Sequence, residues 1–385
     1  MLYVWKDAYP WDVRAEKMTR AFERAGYETY MLARYTGEAR EYEEIEGVRI
    51  MRIGKGMPRA AMLPVPGNLL WRHAIEQACE KLKPSLVMPR EIMLSAASAR
   101  AARQIGAKTI IDMAENYPAA MKLWKKYNSN FLSRLTVHTL KLPERAERKA
   151  VALADGIITV CDEQNERLAG SYRYSESRMQ VVHNTPELAQ FGEPDLKFNE
   201  GGTVFCHHGW LTAEKSVMQF LKGFLLAAER DRSLRFILAG DGDCLPDYKT
   251  VVASSKARES VVFTGKYNFA DLKALLSHTD IGALPYEDNA FNAYTIHNKI
   301  FDYFAAGKPV LTSSVAPLKR LIGETRAGIS SDARTPEEWR AAILEAASKL
   351  KTRPYAKAAF LAHAGKYNWE QDARNMLAFT ERILS

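Results

Sequence analysis

The chain has no CxxC pair. Its four cysteines, Cys79, Cys161, Cys206 and Cys244, are widely spaced among 385 residues. That spacing suggests neither a zinc site nor a disulfide framework, and it fits a reducing compartment. No stretch approaches the roughly 18 consecutive apolar residues of a membrane-spanning helix. The opening segment "MLYVWKDAYPWD" lacks the basic start and long apolar run of a secretion signal. A cytoplasmic protein is therefore expected, attached to the inner face of the plasma membrane from outside the bilayer if it is attached at all. Internal repeats and low-complexity segments are missing too, which leaves ordinary globular domains.

What is present is length and positive charge. A chain of 385 residues implies two domains of roughly 100–200 residues each. The net charge of +8 favours an anionic partner, whether a nucleotide, a phospholipid surface or nucleic acid; a solvated basic surface gives the same balance.

Short apolar runs alternate with helical patterns along nearly the whole sequence. "LYVW" (2–5), "ETYMLAR" (28–34), "SLVMP" (85–89), "KTIIDM" (108–113), "GIITV" (156–160) and "MQVVHN" (179–184) read as strands in the first half. "TVFCHHG" (203–209), "RFILAG" (235–240), "SVVFTG" (260–265), "IGALPY" (281–286) and "KPVLTS" (308–313) read so in the second. A helix is expected over 13–25, stopped by Gly26. The pattern is α/β, with two doubly wound parallel sheets. The stretch 184–203, with two prolines and three glycines, reads as an interdomain linker. Domains are expected at 1–184 and 185–365. An amphipathic helix within 366–385, with Met376, Phe379 and Ile383 on one face, is expected to pack back on the first domain.

In open α/β sheets ligands bind beyond the carboxyl ends of strands. Four such ends in the second half carry candidates. In "HHGWLTAEKSVMQFLKGF" a strand ends at Gly209 and a helix begins near Thr212, a possible N-cap, with Val217, Phe220, Leu221, Phe224 and Leu225 as its buried stripe. Lys215 would oppose the helix dipole unless an anion sat there; a solvated lysine is the plain alternative. In "FILAGDGD", Gly240 and Gly242 permit a tight turn and close approach of a flat ligand, with Asp241 between them. Asp241 and Asp243 also resemble a metal pair, but such turns are common without metal, and no metal is expected. "ALPYEDNAFNAY" adds Tyr286 and Tyr294. In "TIHNKIFDYFAAGKPVLTSS", Thr295 can cap a helix from about 296 to 306 that ends at Gly307. Asn298, Lys299 and Asp302 share one face of it, as a phosphate and sugar-hydroxyl site or as an exposed ion pair. His207 and His208 alternate faces on a strand and are poor joint metal ligands.

These residues resemble the glycosyltransferases of the GT-B fold, glycosyltransferase 4 type. "GWLTAEKS", "LAGDGD" and "HNKIFDYFAAGKPVLTS" are similar to three of the family's segments. "ALADGIITVCDEQNERL", "MQVVHNT" and "IIDMAENYP" are similar to segments of its first domain. The resemblance implies two Rossmann-like domains facing across a cleft. It implies a retaining transferase that moves a sugar from a UDP- or GDP-linked donor to a glycan or lipid-linked acceptor, as in bacterial surface polysaccharide synthesis, with no further cofactor. Lys215 and Lys299 would meet the diphosphate, and Asp302 would take the ribose hydroxyls. Gly209, Gly240, Asp241, Gly242, Tyr286, Tyr294 and Asn298 would flank the nucleotide. The sequence departs from the family's pattern in four places. Tyr294 replaces the first of two glutamates, Trp210 replaces an arginine, Ala114 replaces a histidine, and "KDAYPWDVR" replaces a glycine-rich loop.

In that architecture the first loop faces the cleft. Trp11 could stack on an acceptor sugar, with Asp12 and Arg14 beside it; Asp12 reads equally as an N-cap before Val13. Asp112 or Glu115 could orient an acceptor hydroxyl as a base, or cap a helix. Residues 121–149 alternate cations with Trp124, Tyr127, Phe131 and Leu132, which suits an anionic bilayer or a plain surface. Three other functions share these features: a sugar-nucleotide epimerase, a non-catalytic GT-B subunit and a nucleic-acid binder. The last rests on charge alone, so no nucleic-acid partner is expected.

Overall fold

Apolar runs of three to six residues become strands, and the periodic segments between them become helices. The computed structural model describes Met1 to Ser385 apart from Trp11, Glu38, Asp195 and Ser216 and the side chains of Lys126 and Phe269. The chain forms two units, Met1–Asn184 joined by Asp372–Ser385, and Thr185–Gln371.

The first unit holds β1 (Leu2–Val4), β2 (Tyr30–Arg34), β3 (Tyr42–Ile45), β4 (Val48–Ile53), β5 (Leu86–Pro89), β6 (Lys108–Asp112), β7 (Gly156–Thr159) and β8 (Met179–Val181). They lie in the order β3-β4-β2-β1-β5-β6-β7-β8. Only β3 runs antiparallel, against β4. β1, β5 and β7 are buried along their whole length, as expected of parallel strands covered by helices on both faces. The β3–β4 hairpin escapes the reading of apolar runs because β3, "YEEI", is half polar. Its signal is Glu46-Gly47, both at positive φ, which a tight two-residue turn needs. The helix Val13–Arg24 starts where Asp12 accepts a 2.9 Å hydrogen bond from the Ala15 N–H.

The second unit holds β9 (Thr203–His208), β10 (Leu234–Ala239), β11 (Val261–Gly265), β12 (Ile281–Leu284), β13 (Val310–Ser313) and β14 (Gly328–Ser331), all parallel, in the order β11-β10-β9-β12-β13-β14. Successive strands leave β9 on one side and β12 on the other, so the order reverses between those two. Phe205, Phe220, Phe224 and Phe236 interlock at ring-centroid distances of 5.1–6.3 Å, and Trp339 closes on Phe220.

The second unit begins at Thr185, so residues 185–202, read as a linker, are part of it. There the Leu188 N–H meets the Glu370 carboxylate at 3.1 Å and the Asn199 N–H meets that of Asp280 at 2.7 Å. The last helix, Trp369–Leu384, is divided between the units at 371/372. Its Phe379 lies over Gly156 of β7, and Asp372 accepts the backbone N–H of His183 at 3.2 Å.

Candidate functional site

The second sheet reverses its order between β9 and β12, and their carboxyl ends carry the candidate residues. Gly209 follows β9 with φ +105°, and its N–H donates to the Ala239 carbonyl at 2.8 Å. Gly240, φ +136°, ends β10 so close to this loop that a Cβ there would lie 2.0 Å from the Gly209 carbonyl oxygen. Lys299 crosses the other side, its Cε only 2.6 Å from where a Gly209 Cβ would stand. Asp241 turns onto its own loop and accepts the Gly242 N–H at 2.8 Å.

Asn292, fully buried, fixes the surrounding segments. Its amide donates to the carbonyls of Glu214 at 2.9 Å and Glu287 at 2.8 Å, so its Oδ1 must accept the 2.9 Å bond from His297 Nε2. One side chain thereby joins the Ala213–Lys215 turn, the loop after β12 and the approach to the helix Lys299–Ala305. The Tyr286 ring, also buried, packs edge-on against His297 at 4.3 Å and His207 at 6.0 Å. Lys215 and Lys299 are thus brought close with Asp302 one turn along. Burial first, and then the charge of Lys215, bring the Lys299 ammonium down to about 7, although part of the side chain stays exposed. Burial, and after it the charge of Lys299, lowers His207 to about 3; its Nδ1–H donates to the Ala283 carbonyl at 2.8 Å. Burial and both lysines hold His297 far below its ordinary value.

Neither expected threonine cap forms. A short turn precedes the helix Met218–Arg230, leaving Thr212 outside it, and the helix after β12 begins at Lys299, four residues past Thr295. Gly307 does end that helix, at φ +65°, with its N–H on Phe304 and the next N–H on Tyr303. Asn298 is exposed, and Tyr294 is half-buried in the turn Asn292–Tyr294.

In the first unit two expected roles are corrected. Asp112 is fully buried, and its carboxylate accepts Arg14 Nε at 2.9 Å and the Tyr3 hydroxyl at 2.8 Å, with Arg90 Nη1 at 3.6 Å. Burial pushes this carboxyl up, but the charges of Arg14 and Arg90 and the hydrogen bonds outweigh it and leave it below its ordinary value. Such a group is a poor base, and no acceptor reaches it. Arg14, 3 % exposed, also donates to the Val182 carbonyl at 2.9 Å, so its guanidinium holds the fold together and cannot hold a sugar. Asp12 caps its helix and pairs with Arg90 at 2.9 Å. Glu115 is half-buried after β6, and Trp11 lies outside the described residues.

Residues 117–153 fold into short helices. Trp124 and Tyr127 stack on each other at 6.1 Å, whereas Phe131 is 80 % and Leu132 68 % exposed, with Arg134 alongside. No helix among the described residues is long and apolar enough to cross a membrane.

Comparisons with known proteins point to one family and one fold. A family model described as "Glycosyl transferase 4-like domain" matches residues 12–185, and one described as "Glycosyl transferases group 1" matches 202–349. The alpha-D-kanosaminyltransferase of Streptomyces kanamyceticus is 24 % identical over 234 residues, covering 55 % of this chain and 57 % of that protein. The chain therefore spans little more than half the length of that relative. Among solved structures, sucrose-phosphate synthase from Thermosynechococcus elongatus superposes with a TM-score of 0.75 at 14 % identity, covering 99 % and 98 % of the two chains. Anabaena Alr3699/HepE in complex with UDP-glucose gives 0.72 at 12 %, covering 99 % of each.

The Asp112 cluster makes a direct prediction. Asp112→Ala leaves Arg14 buried beside an empty place and is expected to cost about 3–5 kcal/mol. Urea unfolding checks it; a midpoint equal to wild type contradicts the buried-pair assignment.

Proposed function

This chain belongs to the glycosyltransferases of the GT-B fold, glycosyltransferase 4 type, and from that premise we propose that it moves a sugar from a nucleotide-sugar donor, held at the carboxyl ends of β9 and β12, to a glycan or lipid-linked acceptor. One observation carries the reading: through Asn292 the turn that bears Lys215 is tied to the approach of the helix that starts at Lys299, so both lysines stand at the reversal point of the sheet. A diphosphate between them turns their repulsion into attraction. UDP-glucose in a structure of the same fold supports a uridine donor. Asp302 accepts ribose hydroxyls, and the Gly209 and Gly240–Gly242 loops let the nucleotide approach the backbone.

In the reaction the bond from the sugar's anomeric carbon to the diphosphate oxygen breaks. The acceptor oxygen forms its bond on the same face, and its proton passes to the leaving phosphate. The two ammonium groups stabilise the charge that develops on that phosphate. Retention follows from this same-face path, which uses no enzyme nucleophile. With Asp112 locked in its ion cluster, Glu115 is the acid that remains near the end of β6 to orient an acceptor hydroxyl. The exposed Phe131 and Leu132 among cations support a lipid-linked acceptor presented at an anionic membrane surface.

Calorimetric titration with UDP and GDP tests the donor site. At least one should bind, and Lys299→Ala and Asp302→Ala should each weaken it at least tenfold; a wild-type protein that binds neither overturns the reading. Affinity should also depend on pH. The empty site loses the Lys299 proton above about 7, and a bound diphosphate restores it. Binding should therefore weaken as pH rises from 7 to 9, by up to about tenfold per unit, and Lys299→Met should flatten that slope. For the surface, sedimentation with phosphatidylglycerol vesicles should carry down the wild type and not Phe131→Ser/Leu132→Ser; equal pelleting contradicts the membrane contact.

A further inference from the structure

His208 closes β9, is 3 % exposed, and has no part in the reading above. Its Nδ1 lies 2.9 Å from the Tyr267 hydroxyl, and its Nε2, buried and without a hydrogen-bond partner, lies 3.8 Å from Asp302 Oδ2. The ring is fixed by edge contacts with Tyr303 at 5.1 Å and Tyr267 at 6.2 Å. Tyr303 is itself anchored, its hydroxyl donating to the Cys206 carbonyl at 2.6 Å.

The tautomer follows from electrostatics. Were Nδ1 to carry the proton, the Nε2 lone pair would face the Asp302 carboxylate, acceptor against acceptor. With the Tyr267 hydroxyl donating to Nδ1, the proton sits on Nε2 and its N–H dipole faces the carboxylate attractively. Both partners are in the right state for this. Burial and the nearby Asp302 charge raise Tyr267, so it keeps its proton to give. Burial, then Lys299 and His207, hold the imidazole well below its ordinary value, so it is neutral with one N–H.

We propose that His208, oriented from behind by the Tyr267 hydroxyl, is a positioning residue that sets the rotation of the Asp302 carboxylate for the nucleotide's ribose. The inference rests on the donor-site reading, since it assigns Asp302 to the ribose. At 3.8 Å the N–H acts on the carboxylate as a dipole; a small rotation of Asp302 closes the gap to a hydrogen bond. A carboxylate oxygen accepts two hydrogen bonds, so the imidazole and a ribose hydroxyl can share it. A carboxylate held in one rotamer binds those hydroxyls without losing rotational freedom at that moment.

The test compares UDP with its 2′,3′-dideoxy analogue by calorimetry. The wild type should prefer UDP by on the order of tenfold or more, as expected for hydrogen bonds to a charged group. His208→Phe keeps the ring in its stack and removes the N–H; the preference should shrink several-fold while dideoxy affinity stays constant. His208→Gln, which returns an N–H, should restore it. Tyr267→Phe, a milder change, should move the preference in the same direction if His208→Phe fails to fold. An equal loss for both ligands, or an unchanged preference in the variants, overturns the positioning role and leaves the donor site standing. A wild type that binds both equally removes the ribose assignment of Asp302 and this inference with it. A wild type that binds neither removes the donor site as well.

Discussion

Two like charges held together are the constraint around which the edge of the second sheet is built. Lys215 and Lys299 repel, and nothing in a free chain would bring them near each other. What overcomes the repulsion is backbone geometry. Asn292 satisfies two carbonyls from different segments, and the loops after β9 and β10 touch main chain to main chain because both carry glycine. The neighbouring imidazoles are neutral, so they add no further positive charge. The result is an electropositive notch at the ends of β9 and β12, an arrangement suited to binding that depends on a preorganised field.

The first unit handles charge in the opposite way. Asp112 is surrounded by Arg14, Arg90 and Tyr3, and Arg90 reaches on to Asp12. Opposite charges alternate, every group has a partner of the other sign, and the cluster ties β1, β6 and the first helix together. Its worth lies in geometry more than in net stability, since removing these ions from water is itself expensive. Titratable groups after strands thus mean different things in the two units. Paired charges brace the first sheet, and like charges gather at the end of the second.

This contrast explains what the sequence disclosed. Parallel strands buried on both faces are apolar runs, so most of both sheets was legible, along with the glycines and polar residues at their ends. The β3–β4 hairpin was not, because the edge strand β3 is half polar and Arg49 and Arg52 interrupt the apolar residues of β4. β14, with Ile329 as its one large apolar residue, gave even less. The threonine caps failed because a hydroxyl ahead of a periodic segment shows where a helix can start, and the turn at 213–215 moved the start. Arg14 is 98 residues from Asp112, and Asn292 is 78 from Glu214; contacts over such distances leave no local pattern. For the same reason His208 read only as one of two histidines alternating along a strand, with no sign of its neighbour Asp302.

The first unit is discontinuous in the chain: its last piece, Asp372–Ser385, comes after the whole of the second unit. During synthesis the order in which the units can be completed is therefore reversed. The second unit is contiguous and can close as soon as Gln371 has left the ribosome. The first, though translated earlier, keeps the face of β7 uncovered until Phe379 emerges. For some 187 residues of elongation, the length of Thr185–Gln371, an apolar strip meant for the final helix has no cover of its own. At roughly 5–20 residues per second that is an exposure of about 10–40 s. The cell's folding machinery, more than the finished protein, bears the cost of that arrangement.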